Sequence, residues 1–269
     1  MQVYRGLPIL TNQPTDEQRA RVRHHLVGCL DPWKEFSAAA YAPLAQAAMD
    51  DIIARGRRVV LEGGSGLYLR AGLGGLAFGA APSPALRAEL DAAAAEHPDE
   101  LVRRLRELDP AGAERIDVDN PRRVVRALET VIAQGGPLTD DQQSRLWRSE
   151  PRYAYRLFAL DVARGDVRRR VAERAEHMMV AGLVAEVERA AAAAPLSRTV
   201  RQAIGVDEAL AVLAGELTPE TAARRIVART NRLVRRQSTW MRKLPDAVII
   251  PTSGRLPDDV ADDIAGLLA

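Results

Sequence analysis

Between Thr221 and Lys243 the chain carries Arg224, Arg225, Arg229, Arg232, Arg235, Arg236, Arg242 and Lys243, and no acidic residue. Arg225, Arg229, Arg232 and Arg236 stand 4, 3 and 4 residues apart, so a helix puts them on one face. Ile226, Leu233 and Trp240 recur every seven residues and supply another face that can pack. A row of guanidinium groups suits phosphate, because the planar fork meets phosphate oxygens two at a time. Like charges crowded this way call for a partner. Phosphate or RNA is one answer; salt bridges to neighbouring helices are the plainer one.

Gly63-Gly64-Ser65-Gly66 is a second candidate. Glycines let a ligand approach the backbone, and a hydroxyl at the end of a parallel strand points into the usual ligand crevice. A plain turn explains the same residues equally well. No lysine follows the glycines, so this is not a Walker-type phosphate loop. In Asn120-Pro121-Arg122-Arg123-Val124-Val125-Arg126, Asn120 can cap a helix and Pro121 suits its first position. Arg122 and Arg126 then oppose the helix dipole, a broken local rule that hints at function. Adjacent His24 and His25 cannot share one metal from a helix and have no partner ligands at suitable spacing. Cys29 is expected to be a small buried residue, and His177-Met178-Met179 to serve core packing.

These residues need elements to hold them. Ser37 to Arg57 reads as a helix capped by Ser37 and closed by Gly56, with Pro43 marking a kink or a later start. Arg58 to Glu62 reads as a buried strand, the glycine turn follows, and Leu67 to Leu73 starts another helix. Helix, strand, turn and helix in that order indicate a parallel α/β sheet. Pro82, Pro84, Pro98, Pro110 and Pro121 then punctuate a strand-free stretch, read as a helical insertion over 83–150. Tyr155 to Val162 alternates like a strand, and a helical series runs from Val167 to Arg242. Ala247 to Ile250 is a last strand and Asp258 to Leu268 a closing helix. The expected domains are 1–82 and 151–269, two parts of one α/β core, with the insertion between them.

The bulk properties narrow the field. The 269 residues allow one large domain or a core with an insertion. Hydrophobic residues at 47% and charged residues at 28% are globular proportions that argue against disorder. Lys plus Arg is 38 and Asp plus Glu 36, so net charge is only +2 and any polyanion affinity must come from local clustering. A single cysteine excludes an intramolecular disulfide framework. No apolar run is long enough to span a bilayer. A soluble cytoplasmic monomer is expected, with no membrane partner.

Taken in order, several segments resemble the tRNA dimethylallyltransferase family of the bacterial type. They are Met1 to Gly6, Leu10-Thr11-Asn12, His24-His25-Leu26, Gly63 to Leu69, Asp109-Pro110, Asn120 to Glu129, Gly136-Pro137-Leu138, Ala203-Ile204-Gly205 and Arg235 to Arg242. The family usually has threonine at Ser65, and a tyrosine and a basic residue where Val206 and Asp207 stand. The resemblance implies a P-loop-type parallel sheet with a helical insertion, and nucleotide (ATP) binding goes with that core. It implies transfer of a dimethylallyl group from dimethylallyl diphosphate to the exocyclic amine of the adenosine next to the anticodon. Mg2+ would assist by neutralising charge on the departing diphosphate. The base must leave its stack to reach the site. By the same resemblance, Met1 and Gln2 belong to the segment reading that adenosine, and Ser65 lies near the reacting amine. Arg87, Arg122, Arg123, Arg126, Arg235, Arg236, Gln237, Thr239 and Arg242 contact the tRNA anticodon arm, and Arg170 and Arg174 face the diphosphate.

In the family a strand, a Walker-type loop, its helix and an aspartate general base precede the segment matched at Met1. The expectation is therefore a truncated member, starting at an internal methionine, without the N-terminal strand and P-loop and inactive alone. Two alternatives stand beside it: a non-catalytic RNA-binding relative, and an adenylate isopentenyltransferase, against which the length and arginines of 83–150 argue.

Overall fold

The structure, a computed structural model, describes residues 1–76, 83–137, 150–242, 244 and 247–268. Pro82, Leu138, Lys243 and Pro245, used in the sequence reading, lie outside them. The elements in chain order are α1 (Pro8–Thr11), α2 (Asp16–Arg21), α3 (Ala38–Ala54), α4 (Gly66–Gly72), α5 (Pro84–Glu96), α6 (Pro98–Leu108), α7 (Pro110–Arg115) and α8 (Pro121–Gln134). There follow β1 (Phe158–Asp161), α9 (Arg164–Val180), α10 (Leu183–Ala193), α11 (Arg198–Arg201), α12 (Val206–Leu213), α13 (Pro219–Met241), β2 (Val248–Pro251) and α14 (Pro257–Leu268). The chain divides into two units, Met1–Gly72 with Ala154–Ala269, and Leu73–Tyr153.

In the first unit β1 and β2 pair in parallel, Phe158 opposite Val248 and Asp161 opposite Pro251. Parallel strands need a long crossover, and α9 to α13 supply it. The strand expected over Arg58–Glu62 does not form. A strand exists only if a neighbour takes up its N–H and C=O groups. Among the described residues none does, and Val60 is 90% exposed. Helix α3 does form: the Ser37 hydroxyl accepts from the Ala40 N–H at 3.2 Å, and the helix runs through Pro43. The ring deprives only the carbonyl of Ala39, which sits on the exposed side where water can replace the bond. Tyr41 of α3 meets Tyr68 of α4 at 5.3 Å between ring centres, and Phe36 edge-on at 6.4 Å.

The core of this unit joins Tyr4, Leu7 and Leu10 to Met178, Leu183, Val187, Val200, Val206 and Ile226. Helix α1 has four residues, too few to persist alone. Leu7 and Leu10 hold it, each burial contributing about 2 kcal/mol. Its N-terminus has no cap of its own; the buried carboxylate of Glu186, from α10, accepts from the N–H groups of Ile9 at 2.9 Å and Leu10 at 2.8 Å. Asn12 ends it in the left-handed region, φ 54°.

The second unit is built from α5 to α8 around Leu90, Leu101, Leu105, Val124, Leu128 and Val131. Ser83 caps α5 through the Leu86 N–H at 3.1 Å, and buried Asp109 caps α7 through the Gly112 N–H at 2.8 Å. Pro121 opens α8 as expected, whereas the Asn120 side chain makes no capping bond.

Candidate RNA-contacting and transfer site

The glycine turn and the basic helix meet. The Gln237 side-chain amide donates to the Gly64 carbonyl at 3.0 Å, which ties the turn bearing Ser65 to α13. Gly66, the buried first residue of α4, lies against the Trp240 indole, and a Cβ there would fall inside the ring. The rigid Trp240 ring against the backbone is thus what demands glycine at Gly66, whereas at Gly64 the neighbour is the mobile end of the Gln237 side chain. Ser65 remains exposed between them. The Trp240 indole N–H is buried without a partner among the described residues. Arg235, Arg236 and Arg242 are exposed, and the Thr239 hydroxyl donates to the Arg235 carbonyl within the helix at 2.9 Å.

Gln2 stands in a second cluster of the same unit. Its amide donates to the Asn12 carbonyl at 2.5 Å, and its own carbonyl accepts from Gln13 at 3.0 Å and from the Gly28 N–H at 2.8 Å. Met1, beside it, is half exposed. Gln2, Asn12, Pro14, Gln18, Arg21, Val22, His24 and Glu62 line a cavity of about 430 Å³. Arg174 donates to the Asn12 side chain at 2.6 Å and the Ile9 carbonyl at 3.4 Å. Burial pushes its guanidinium pKa below the ordinary value. Arg170, one turn earlier on α9, is exposed.

The arginine face of α13 divides in two. Arg229 donates to both oxygens of Glu208, nearly buried on α12, at 2.8 and 2.9 Å, and lies 3.8 Å from Asp207. For this residue the plainer sequence reading, a salt bridge to a neighbouring helix, holds. Arg225, Arg232 and Arg236 have no acidic partner among the described residues. Asp207 also lies 3.8 Å from Arg201.

In the helical unit, Arg87 of α5 grips the carboxylate of Glu129 through Nε and Nη2, and Arg126 approaches it at 3.5 Å. Glu129 is fully buried. Arg123 lies 3.4 Å from Asp117, and Arg122 is exposed with no acidic partner among the described residues. The sequence reading passed over Glu129. Its signal was present: an acid three residues after Arg126, inside the apolar run Ala127, Leu128 and Val131.

Cys29 corrects an expectation, for it is exposed. Its N–H and that of Leu30 both bond to the Val3 carbonyl, which fixes the backbone and leaves the thiol outside. His24 and His25 lie in a loop, with His24 Nδ1 2.9 Å from the Val22 carbonyl. Among the described residues no group of three or more His, Cys, Asp or Glu could hold a metal ion, and no helix is long and apolar enough to cross a membrane.

Known proteins resemble this chain in sequence and fold. The tRNA dimethylallyltransferase of Rhodopirellula baltica is 39% identical over 97% of this chain and 78% of its own length. That of Geobacter metallireducens is 37% identical over 99% of this chain and 86% of its own. The crystal structure of the tRNA isopentenylpyrophosphate transferase from Bacillus halodurans superposes with a TM-score of 0.70 at 30% identity, over 99% of this chain and 84% of that one. The family described as IPP transferase matches residues 2–244, and the chain belongs to this family of transferases.

Proposed function

We propose that this protein transfers a dimethylallyl group from dimethylallyl diphosphate to the exocyclic amine of the adenosine next to the anticodon in tRNA. The observation that carries the reading is the Gln237 bond to the Gly64 carbonyl, which sets Ser65 beside the exposed arginines of α13. A helix that grips RNA and a turn that faces the reacting base must adjoin, and these do. In the reaction the carbon–oxygen bond to diphosphate breaks, a carbon–nitrogen bond forms, and the amine loses a proton. Ser65 holds the amine through its hydroxyl. Gln2, fixed by Asn12, Gln13 and Gly28, reads the base at the rim of the cavity, with Met1 next to it. Arg170, exposed on α9, is free to meet diphosphate, and Arg174, bonded to Asn12 and Ile9, supplies a second positive charge close by. Arg87, Arg122, Arg123, Arg126, Arg235, Arg236, Thr239 and Arg242 hold the anticodon arm.

Mg2+ is part of the reading as a companion of the diphosphate. The ion is commonly held by one or two carboxylates with substrate phosphates, and the described residues offer no fuller cage. When bound it neutralises charge on the leaving group.

The test incubates the purified chain with labelled dimethylallyl diphosphate, Mg2+ and tRNA, then digests the RNA and identifies the nucleoside. Label on the adenosine beside the anticodon supports the reading, and salt-sensitive tRNA binding accompanies it. Label on free adenylate assigns a small-nucleotide prenyltransferase. Binding of tRNA without label assigns an RNA-binding relative. A chain that neither binds nor labels tRNA overturns the proposal.

A further inference from the structure

Two arginines of the first unit are fixed in opposite ways. Arg229 is held by an acid, Glu208, which cancels its charge. Arg174 is held by neutral groups. Its Nη1 donates to the Asn12 side-chain oxygen at 2.6 Å and its Nη2 to the Ile9 carbonyl at 3.4 Å, and among the described residues it makes no ion pair. Asp166 and Glu173, acids of the same helix, pair with Arg169 instead. Arg174 is nonetheless half-buried, and burial lowers its pKa. A charge withdrawn from water without a counter-charge is costly. Arg170, one turn earlier, is a second cation without an ion pair among the described residues, and like charges four residues apart repel. An anion arriving from outside relieves both costs.

Asn12 suits the task of holding such a cation. It ends α1 with φ 54° and ψ 53°, a left-handed geometry that glycine, asparagine and aspartate adopt most readily. Helix α1 is itself pinned through Ile9 and Leu10 to the buried Glu186. From that anchored end Asn12 reaches two ways. Its carbonyl accepts from the Gln2 amide at 2.5 Å, and its side-chain oxygen accepts from Arg174. One residue thus fixes the cation relative to Gln2 at the cavity. An aspartate would fill the same space and bond more strongly, but it would cancel the charge. An amide orients the guanidinium and leaves its charge whole.

We infer that Asn12 is a positioning residue that holds Arg174, with its charge uncancelled, for the diphosphate of the prenyl donor. The inference rests on the transfer reading proposed above. The anion is a small one, because a guanidinium half sunk against α1 is within reach of a diphosphate and poorly placed for the backbone of a stiff RNA stem.

The test uses the full chain. Calorimetry with inorganic pyrophosphate and with dimethylallyl diphosphate, each with Mg2+, gives the affinity on the donor side. Anisotropy of a fluorescent tRNA transcript gives the affinity for RNA, and thermal unfolding is recorded for every variant. Asn12→Asp keeps the shape and strengthens the bond to Arg174, so it melts no lower than the parent. It nevertheless weakens pyrophosphate and donor binding roughly tenfold. A purely structural Asn12 predicts the same stability with unchanged affinity. Asn12→Gly keeps the left-handed backbone and the carbonyl that holds Gln2, and removes only the acceptor. It weakens both donor-side ligands several-fold, and more than it weakens tRNA. In an Arg174→Met background Asn12→Gly adds less than about twofold, since nothing remains to position.

An Asn12→Asp variant that binds pyrophosphate and donor like the parent overturns the inference. So does an Asn12→Gly loss that persists in full with Arg174→Met, or one that falls on tRNA as heavily as on the donor, which assigns Arg174 to RNA phosphate. A parent chain that binds neither pyrophosphate nor dimethylallyl diphosphate overturns this inference together with the transfer reading. A parent that binds pyrophosphate, loses it through Asn12→Asp and labels no tRNA supports the anion site and overturns the transfer reading alone.

Discussion

Replacing Gly66 by alanine adds one methyl group at the contact between the serine turn and α13. The added carbon would occupy the space of the Trp240 indole, a rigid ring that can yield only by swinging off its rotamer or pushing the turn away. Overpacking of this kind costs about 1–3 kcal/mol. Gly66 opens α4, where alanine's preference for helix interiors offsets little of it. The net loss is then about 1–3 kcal/mol, or a fall in Tm of roughly 2–12 °C for a chain of this size. Gly64→Ala makes a control two residues away. Its new carbon meets the amide of Gln237, the mobile end of a flexible side chain. The amide can turn aside at the loss of one hydrogen bond, about 1 kcal/mol. Urea unfolding followed by circular dichroism should therefore rank Gly66→Ala as the more damaging. Transfer to tRNA should fall in both, because Ser65 lies between them. Trp240→Leu removes the obstruction, so the Gly66→Ala, Trp240→Leu double variant should recover about 0.5–3 kcal/mol relative to the sum of its parts. A Gly66→Ala variant as stable as the parent, or strict additivity with Trp240→Leu, would refute the contact.

Glu186→Gln leaves one of the two N–H groups at the start of α1 facing an amide donor, at a cost of about 1.5–3 kcal/mol; hydrogen exchange at Ile9 and Leu10 should accelerate, and unchanged protection contradicts the capping role. Arg229→Met strands the nearly buried Glu208 and should lower stability by about 2–3 kcal/mol in urea; an unchanged midpoint would mean that the carboxylate finds water. Burial raises the hydroxyl pKa values of Tyr4, Tyr41 and Tyr68 above their ordinary value of 10.0. Stability from these groups is complete below pH 10.0 and is lost as pH rises through the raised native values; Tyr41→Phe should flatten this alkaline loss, and identical pH profiles would count against it. Cys29 should react with a maleimide in the native protein at the rate of a free thiol; labelling that requires urea would show that it is shielded.

Elements whose pattern is local were legible in advance. The alternation around Phe158–Asp161 and the short apolar run at Val248–Ile250 do become β1 and β2, and Ser37 and Gly56 mark the ends of α3. Arg58–Glu62 has equally strand-like composition and forms no ladder, since pairing depends on a neighbour that composition does not reveal. The same limit applied to the charges. Spacing put Arg225, Arg229, Arg232 and Arg236 on one face, but only the fold shows that Arg229 turns to Glu208 on α12. Gln237 and Gly64, 173 positions apart, had no signal linking them beyond the resemblance that drew attention to both.

Neighbouring acids decide what the arginines do. Around α12 and α13, Arg201 and Arg229 face Asp207 and Glu208, two cations against two anions, and no charge remains for a ligand. Where the family usually has a basic residue, this chain has Asp207, and the result is a neutral brace that holds α12 to α13. In the helical unit, Arg87 and Arg126 share the buried Glu129, and the Arg126 side chain stays 54% exposed. An acid added beside Arg126 should therefore weaken the attraction of that surface for a polyanion while keeping the fold.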